Sequence, residues 1–204
     1  MTAFRIARAL AVLCALALGG CLGSAPPHFY ALRSASGEAA GAPLAAHPEL
    51  GLAVGPVELP RYLDRPELVT QDDSNRLTVL DAHRWGGSLR TDILRVVADD
   101  LGRLLGTARV AVYPAEPRFR ADYRVLLDVR DIQATPGENV TLLVRWTLAS
   151  MRDGSAVAVE ETRIEQPIAS GSYDDLVAAD SAAFGSLSRR IAEKIATLTS
   201  VASE

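Results

Sequence analysis

The sequence predicts a single α/β domain in which a mixed, largely antiparallel sheet is packed by two amphipathic helices. Two segments carry apolar residues at helical period, Leu89 to Leu105 and Val177 to Leu198. Between them, three longer segments alternate apolar and polar residues and are joined by turn-forming runs, the pattern of an antiparallel meander. No composition break or internal repeat separates the halves, so the division read from the chain is 1–20 as a leader, 21–27 as a tether and 28–204 as one domain.

The first twenty residues are an export signal. Arg5 and Arg8 precede an unbroken apolar run, Ala9 to Leu18, and small Gly19 and Gly20 give a peptidase access to the bond before Cys21. The run is too short for a spanning helix, which needs about 20 apolar residues. Leu18-Gly19-Gly20-Cys21 resembles the lipobox of bacterial lipoproteins, with Leu18, Gly19 and Gly20 as the peptidase recognition residues. Cys21 is therefore the expected lipid attachment site, carrying diacylglycerol and an N-acyl chain; no other cofactor and no metal are expected. Leu22, in a place where Asp marks inner-membrane retention in many diderm bacteria, points to the periplasmic leaflet of the outer membrane.

Composition narrows the function classes. The 204-residue chain has 21 basic and 25 acidic side chains; without Arg5 and Arg8, 19 basic residues remain against 25 acidic ones, a net charge of −6. That leaves no broad basic footprint for nucleic acid. Cys14 lies in the leader and Cys21 is the lipid site, so the domain has no cysteine for a disulfide or a thiolate metal site.

In chain order, His28 to Leu32 suits a first strand, and Ser34 to Pro48, rich in Ala, Gly, Ser and Pro, reads as a mobile loop. Leu50 to Leu59 is a strand with Leu52, Val54 and Val57 inward, and Gly55-Pro56 marks a bulge or an edge. Pro60 and Pro66 frame a compact segment holding Arg61, Tyr62, Leu63 and Arg65. After the turn Asp72 to Asn75, Leu77 to Leu80 is a strand leading to Arg84-Trp85-Gly86-Gly87.

Ser88 is placed to cap the first helix. Its stripe is Leu89, Ile93, Val96, Val97, Leu101, Leu104 and Leu105, with Arg90, Asp92, Arg95, Asp99 and Arg103 on the wet side and Gly106 as the stop. Arg109 to Tyr113 is a short strand closed by prolines. The meander follows: Asp122 to Ile132, the turn Pro136 to Asn139, Val140 to Leu148, the turn Arg152 to Ser155, and Ala156 to Ile164. Ser172 opens the last helix, with Asp174 and Asp175 in its first turn, where negative charge complements the helix dipole.

No catalytic constellation emerges. His28 and His47 lie outside rigid context, Asp81-x-His83 lacks further ligands for a metal, and Ser88 has no G-x-S-x-G frame. The pairs Asp99-Asp100, Glu160-Glu161 and Asp174-Asp175 fall on expected solvated faces or a helix start. The specialised features are two restrained junctions bearing large amphipathic side chains: Arg61, Tyr62, Leu63 and Arg65, and Arg84-Trp85. Such residues are favoured at interfaces, and the competing reading is that Tyr62, Leu63 and Trp85 plug one end of the core.

These residues also carry a resemblance. Cys21, His28 to Leu32, Gly55-Pro56-Val57-Glu58-Leu59-Pro60 running into Tyr62 to Val69, and Trp85 ahead of Leu89 resemble the ABC-type transport auxiliary lipoproteins, the paraquat-inducible protein C-like (PqiC-like) family, over Phe29 to Leu198. The resemblance implies a non-enzymatic outer-membrane lipoprotein of an envelope transport system. In such systems inner-membrane ABC transporter components or membrane proteins work with MCE-domain proteins to move lipids or other hydrophobic molecules, which bears on membrane integrity. The expected role is docking of the periplasmic MCE protein, with Arg61, Tyr62, Leu63, Arg65 and Trp85 as candidate contacts. Self-association to match an oligomeric tunnel is left open. The alternative is a lipid carrier with its own apolar cavity lined around Leu127, Val144 and Trp146; a hydrolase using His83 or Ser88 is the remote third reading.

Overall fold

The computed structural model describes residues 26–34, 42–44, 46–71, 76–115 and 118–201. The predicted leader, Cys21 and the predicted turn Asp72 to Asn75 lie outside the described residues, as does part of the predicted loop between Ser34 and Pro48.

Among the described residues, eight strands and two helices follow in the order β1 (His28–Tyr30), β2 (Leu52–Glu58), β3 (Glu67–Gln71), β4 (Leu77–Trp85), α1 (Leu89–Leu105), β5 (Val110–Val112), β6 (Tyr123–Thr135), β7 (Asn139–Ser150), β8 (Ala156–Pro167) and α2 (Tyr173–Val201). The domain is α/β, as the two stripes and the alternating segments predict. The strands divide into two sheets: a three-stranded one in the order β1-β4-β3 and a five-stranded one in the order β5-β2-β6-β7-β8. β6, β7 and β8 form the expected antiparallel meander. Among the described residues the parallel pairs are β1 with β4 and β2 with both β5 and β6.

The helices lie side by side on the larger sheet, α1 against β2 and β5, α2 against β7 and β8. They close one core in which Leu52, Val54, Val125, Leu142, Val144 and Leu187 are almost fully excluded from solvent. β3 reaches across to β6 and joins the small sheet to the large one. Among the described residues no helix is long and apolar enough to cross a membrane.

Gly55-Pro56 is a bulge rather than an edge. β2 lies between β5 and β6, and its register against β6 shifts between Val54 and Val57, so Pro56 sits where the ladder is already interrupted. Gly55 has φ +112, and a Cβ there would stand 2.7 Å from Leu94 Cδ2. Only glycine meets both requirements without strain.

The helix limits match the sequence signals, with one correction. Gly106 takes the left-handed conformation (φ 59) that ends α1, and Ser88 occupies the N-cap position, but its hydroxyl makes no capping bond. At α2 the Ser172 hydroxyl does accept the Asp175 N–H (3.1 Å). The stretch before β2, expected to be mobile, is fastened where it is described: the Leu44 N–H bonds the Leu104 carbonyl (2.9 Å) and the His47 N–H bonds the Leu105 carbonyl (2.8 Å). These bonds satisfy carbonyls that the end of a helix leaves open.

Candidate functional site

The two junctions singled out from the sequence meet in space. Pro60 starts a tight turn in which its carbonyl accepts the N–H groups of Leu63 (3.0 Å) and Asp64 (3.2 Å). The chain then runs to Pro66, whose carbonyl accepts the Trp85 N–H at 2.7 Å. This bond sets the end of β4 beside the proline-framed turn and in front of α1.

Each candidate residue has a distinct place. Leu63 and Trp85 are 5% and 8% exposed and belong to the core, together capping a cavity of about 20 Å³. Tyr62 is half-buried, and its hydroxyl donates a short hydrogen bond to the Asp131 carboxylate on β6. Burial, followed by that bond, pushes the phenol pKa well above its usual value. Arg61 is exposed. Arg65 is exposed as well and donates through Nε to Glu67 (3.0 Å); it holds the Glu67 carboxyl below the usual carboxylate range, and Arg84 approaches the same carboxylate at 3.7 Å. Arg90 of α1 donates to the Val57 carbonyl and, at 2.8 Å, to Asp64. The exposed part of the turn is Arg61, Asp64, Arg65 and Pro66, with Gly87 and Ser88 across a shallow cleft. Tyr62, Leu63 and Trp85 set its shape from beneath.

Three polar features escaped sequence reasoning. Asp180 of α2 is buried, lines the cavity under Leu63 and Trp85, and has one carboxylate oxygen with no hydrogen-bond partner among the described residues. Burial pushes its pKa up to about 7. Helical phase carries the signal for this placement, because Leu176 and Phe184, four residues to either side, line the same cavity. Asp100, read as solvated, is buried and receives the Ser34 hydroxyl at 2.9 Å, with Arg103 at 3.5 Å.

The third feature is an aromatic cluster. The His28 and His83 rings stack at 5.3 Å, His83 lies 4.0 Å from the Tyr173 ring, and Tyr30 shares a 2.8 Å hydrogen bond with His83 Nδ1. The parallel register that sets His28 opposite His83 brings it together, and it pins β1 to β4 and to the start of α2. Among the described residues no three His, Cys, Asp or Glu side chains gather as metal ligands.

The face offered for a lipid cavity is packed solid. Leu127, Val144 and Trp146 are buried in the core, and the Trp146 indole donates to the Thr162 hydroxyl at 3.0 Å. Ser88 and His83 are not in contact as a nucleophile and base: the His83 ring is taken up by Tyr30, His28 and Tyr173.

Comparison with known proteins identifies the class. Residues 30–192 match the ABC-type transport auxiliary lipoprotein component family, and the chain belongs to it. This is a non-catalytic family of transport accessory lipoproteins. A Xanthomonas campestris protein, XCC0632, has a crystal structure similar to this one at a TM-score of 0.66, with 17% identity over 86% of this chain and 99% of that one. A second crystal structure, of an uncharacterized protein, gives a TM-score of 0.68 and 17% identity over 84% of this chain and 99% of the other. At that identity the likeness establishes the fold alone. No curated protein matches the chain.

Proposed function

We propose that this protein is the outer-membrane-anchored lipoprotein of an MCE/ABC-type intermembrane transport system, docking the periplasmic MCE protein at the bilayer. Lipid on Cys21 holds the domain at the periplasmic leaflet, and the surface Arg61, Asp64, Arg65 and Pro66 receives the partner. Family membership over residues 30–192 carries the reading. It is supported by the arrangement of the turn: Leu63 and Trp85 root it in the core and Arg90 ties it to α1, while its arginines stay at the surface. A rigid, preorganised loop loses little entropy on binding.

The test is photo-cross-linking in cells from residues 61 and 65, both exposed. An adduct with an MCE-domain protein, absent when the cross-linker is at Val159 on β8, supports docking. Cells in which loss of the gene impairs the outer-membrane barrier, yet neither position yields such an adduct, would refute it.

A further inference from the structure

We infer that the groove beside β1 is the face the domain lays on the phospholipid bilayer, with Phe29 inserted at the headgroup boundary. The inference rests on the reading of Cys21 as the lipid-bearing residue and adds which surface the anchor brings into contact.

Phe29 is 66% exposed, the most exposed large apolar side chain among the described residues. It stands on β1, an edge strand of the small sheet, whose Tyr30 carbonyl is turned inward to accept the Gly86 N–H at 2.7 Å. That edge opens onto a groove of about 690 Å³, lined by Phe29, Ala31 and Arg33 from the β1 segment and by Val177, Ala178 and Ala182 of α2. With Ala31, Val177, Ala178 and Ala182 beside it, Phe29 is part of a contiguous apolar lining rather than a lone exposed ring.

Chain length selects the occupant. Phe29 follows Cys21 by eight residues, which span at most about 28 Å when extended. A domain of this size measures roughly 40 Å across, so the acyl chains cannot draw its far end to the membrane while β1 faces away. The faces around β1 are the ones within reach, and among them the groove carries the exposed aromatic ring. Its composition fits an interface: an aromatic ring for the boundary between headgroups and acyl chains, small apolar neighbours, and the Arg33 guanidinium for a lipid phosphate. Asp174, at the start of α2, is the acidic side chain that lines the groove, and it leaves the rim around Phe29 and Arg33 as the contact edge. Because the anchor keeps this face at high effective concentration, one inserted ring is enough to orient the domain.

The experiment uses the full-length lipidated chain carrying Phe29→Trp, reconstituted in vesicles of phosphatidylglycerol and phosphatidylcholine brominated along its acyl chains. Trp85 and Trp146 are buried and give a constant background; Val159→Trp on β8 is the exposed reference. The expected result is a blue-shifted emission that brominated lipid quenches in Phe29→Trp and leaves unchanged in Val159→Trp. A chain that floats with the vesicles while its new indole stays unquenched overturns the proposed face and leaves the anchor intact. An unquenched but blue-shifted indole assigns the groove to a second copy of this chain and also overturns it. A chain that does not float, and whose Cys21 has no added lipid mass, overturns the anchor and this inference with it.

Discussion

Replacing Asp180 by Asn should make the protein more stable as pH rises, by an amount set by one buried carboxyl. The native group has no charge partner in its cavity, where Glu67, drawn outward by Arg65 and Arg84, is the other titratable side chain in the lining. Its pKa is pushed from the usual aspartate value of 3.8 to about 7 in the folded state. Between these values the unfolded chain is ionised while the folded one still holds the proton, so the folded state binds more protons and stability falls with rising pH. The contribution is complete below 3.8 and is lost once pH passes about 7. At about 1.4 kcal/mol per pH unit the whole span is worth about 4 kcal/mol, of which about 3 kcal/mol falls between pH 5 and 8. Asn keeps the shape and removes the titration. Urea unfolding of the unlipidated Cys21→Ser chain, followed by the fluorescence of Trp85 and Trp146, measures the difference at each pH. The advantage of Asp180→Asn should grow by about 3 kcal/mol from pH 5 to pH 8, or roughly 6 to 12 °C in Tm for a domain of this size. A difference that does not change with pH would refute the argument. So would a native chain that gains stability against the variant on going alkaline, which is the behaviour of an ionised, partnered carboxylate.

Leu63→Ala should destabilise the domain by about 2–5 kcal/mol in the same assay, since it enlarges the cavity shared with Trp85 and Phe184, whereas Arg61→Ala should stay within about 0.5 kcal/mol. Equal effects would mean that the turn is not rooted in the core. Gly55→Ala should cost more than about 2 kcal/mol, because it forces an L side chain to φ +112 and a Cβ to within 2.7 Å of Leu94; unchanged thermal unfolding would contradict that geometry. Trp146→Phe removes the indole donor to buried Thr162 and should cost about 1–3 kcal/mol, and Trp146→Phe with Thr162→Val should recover part of the loss in a double-mutant cycle.

Local signals in the chain were enough for most of the architecture and for part of the site. Both helices were legible because a stripe repeats over many residues, and the meander because Pro136 to Asn139 and Arg152 to Ser155 separate segments of period two. Strand β3 was not, since Glu67 to Gln71 is five residues pressed between a proline and a turn, too short to show its own period. The split into two sheets was equally hidden: parallel partners such as Leu52 with Val110 are set by tertiary packing, and nothing near either residue announces the other. At the site, prolines and large amphipathic side chains drew attention to Arg61 to Arg65 and to Trp85. Which of these face solvent depends on distant groups, Asp131 for Tyr62 and the α2 residues Leu176 and Phe184 for Leu63 and Trp85. His83 invited a metal reading until its parallel partner, His28, and the two tyrosines occupied its ring.

Docking through the proline-framed turn is tested by binding of the vesicle-anchored protein to the periplasmic assembly of the MCE protein from the same cells. Binding should be saturable, and Arg61→Glu with Arg65→Glu should weaken it at least about tenfold, a change of about 1.4 kcal/mol, while urea unfolding of the double variant stays close to that of the native chain. Binding that the double variant leaves unchanged, or no binding at any concentration reached, would contradict it.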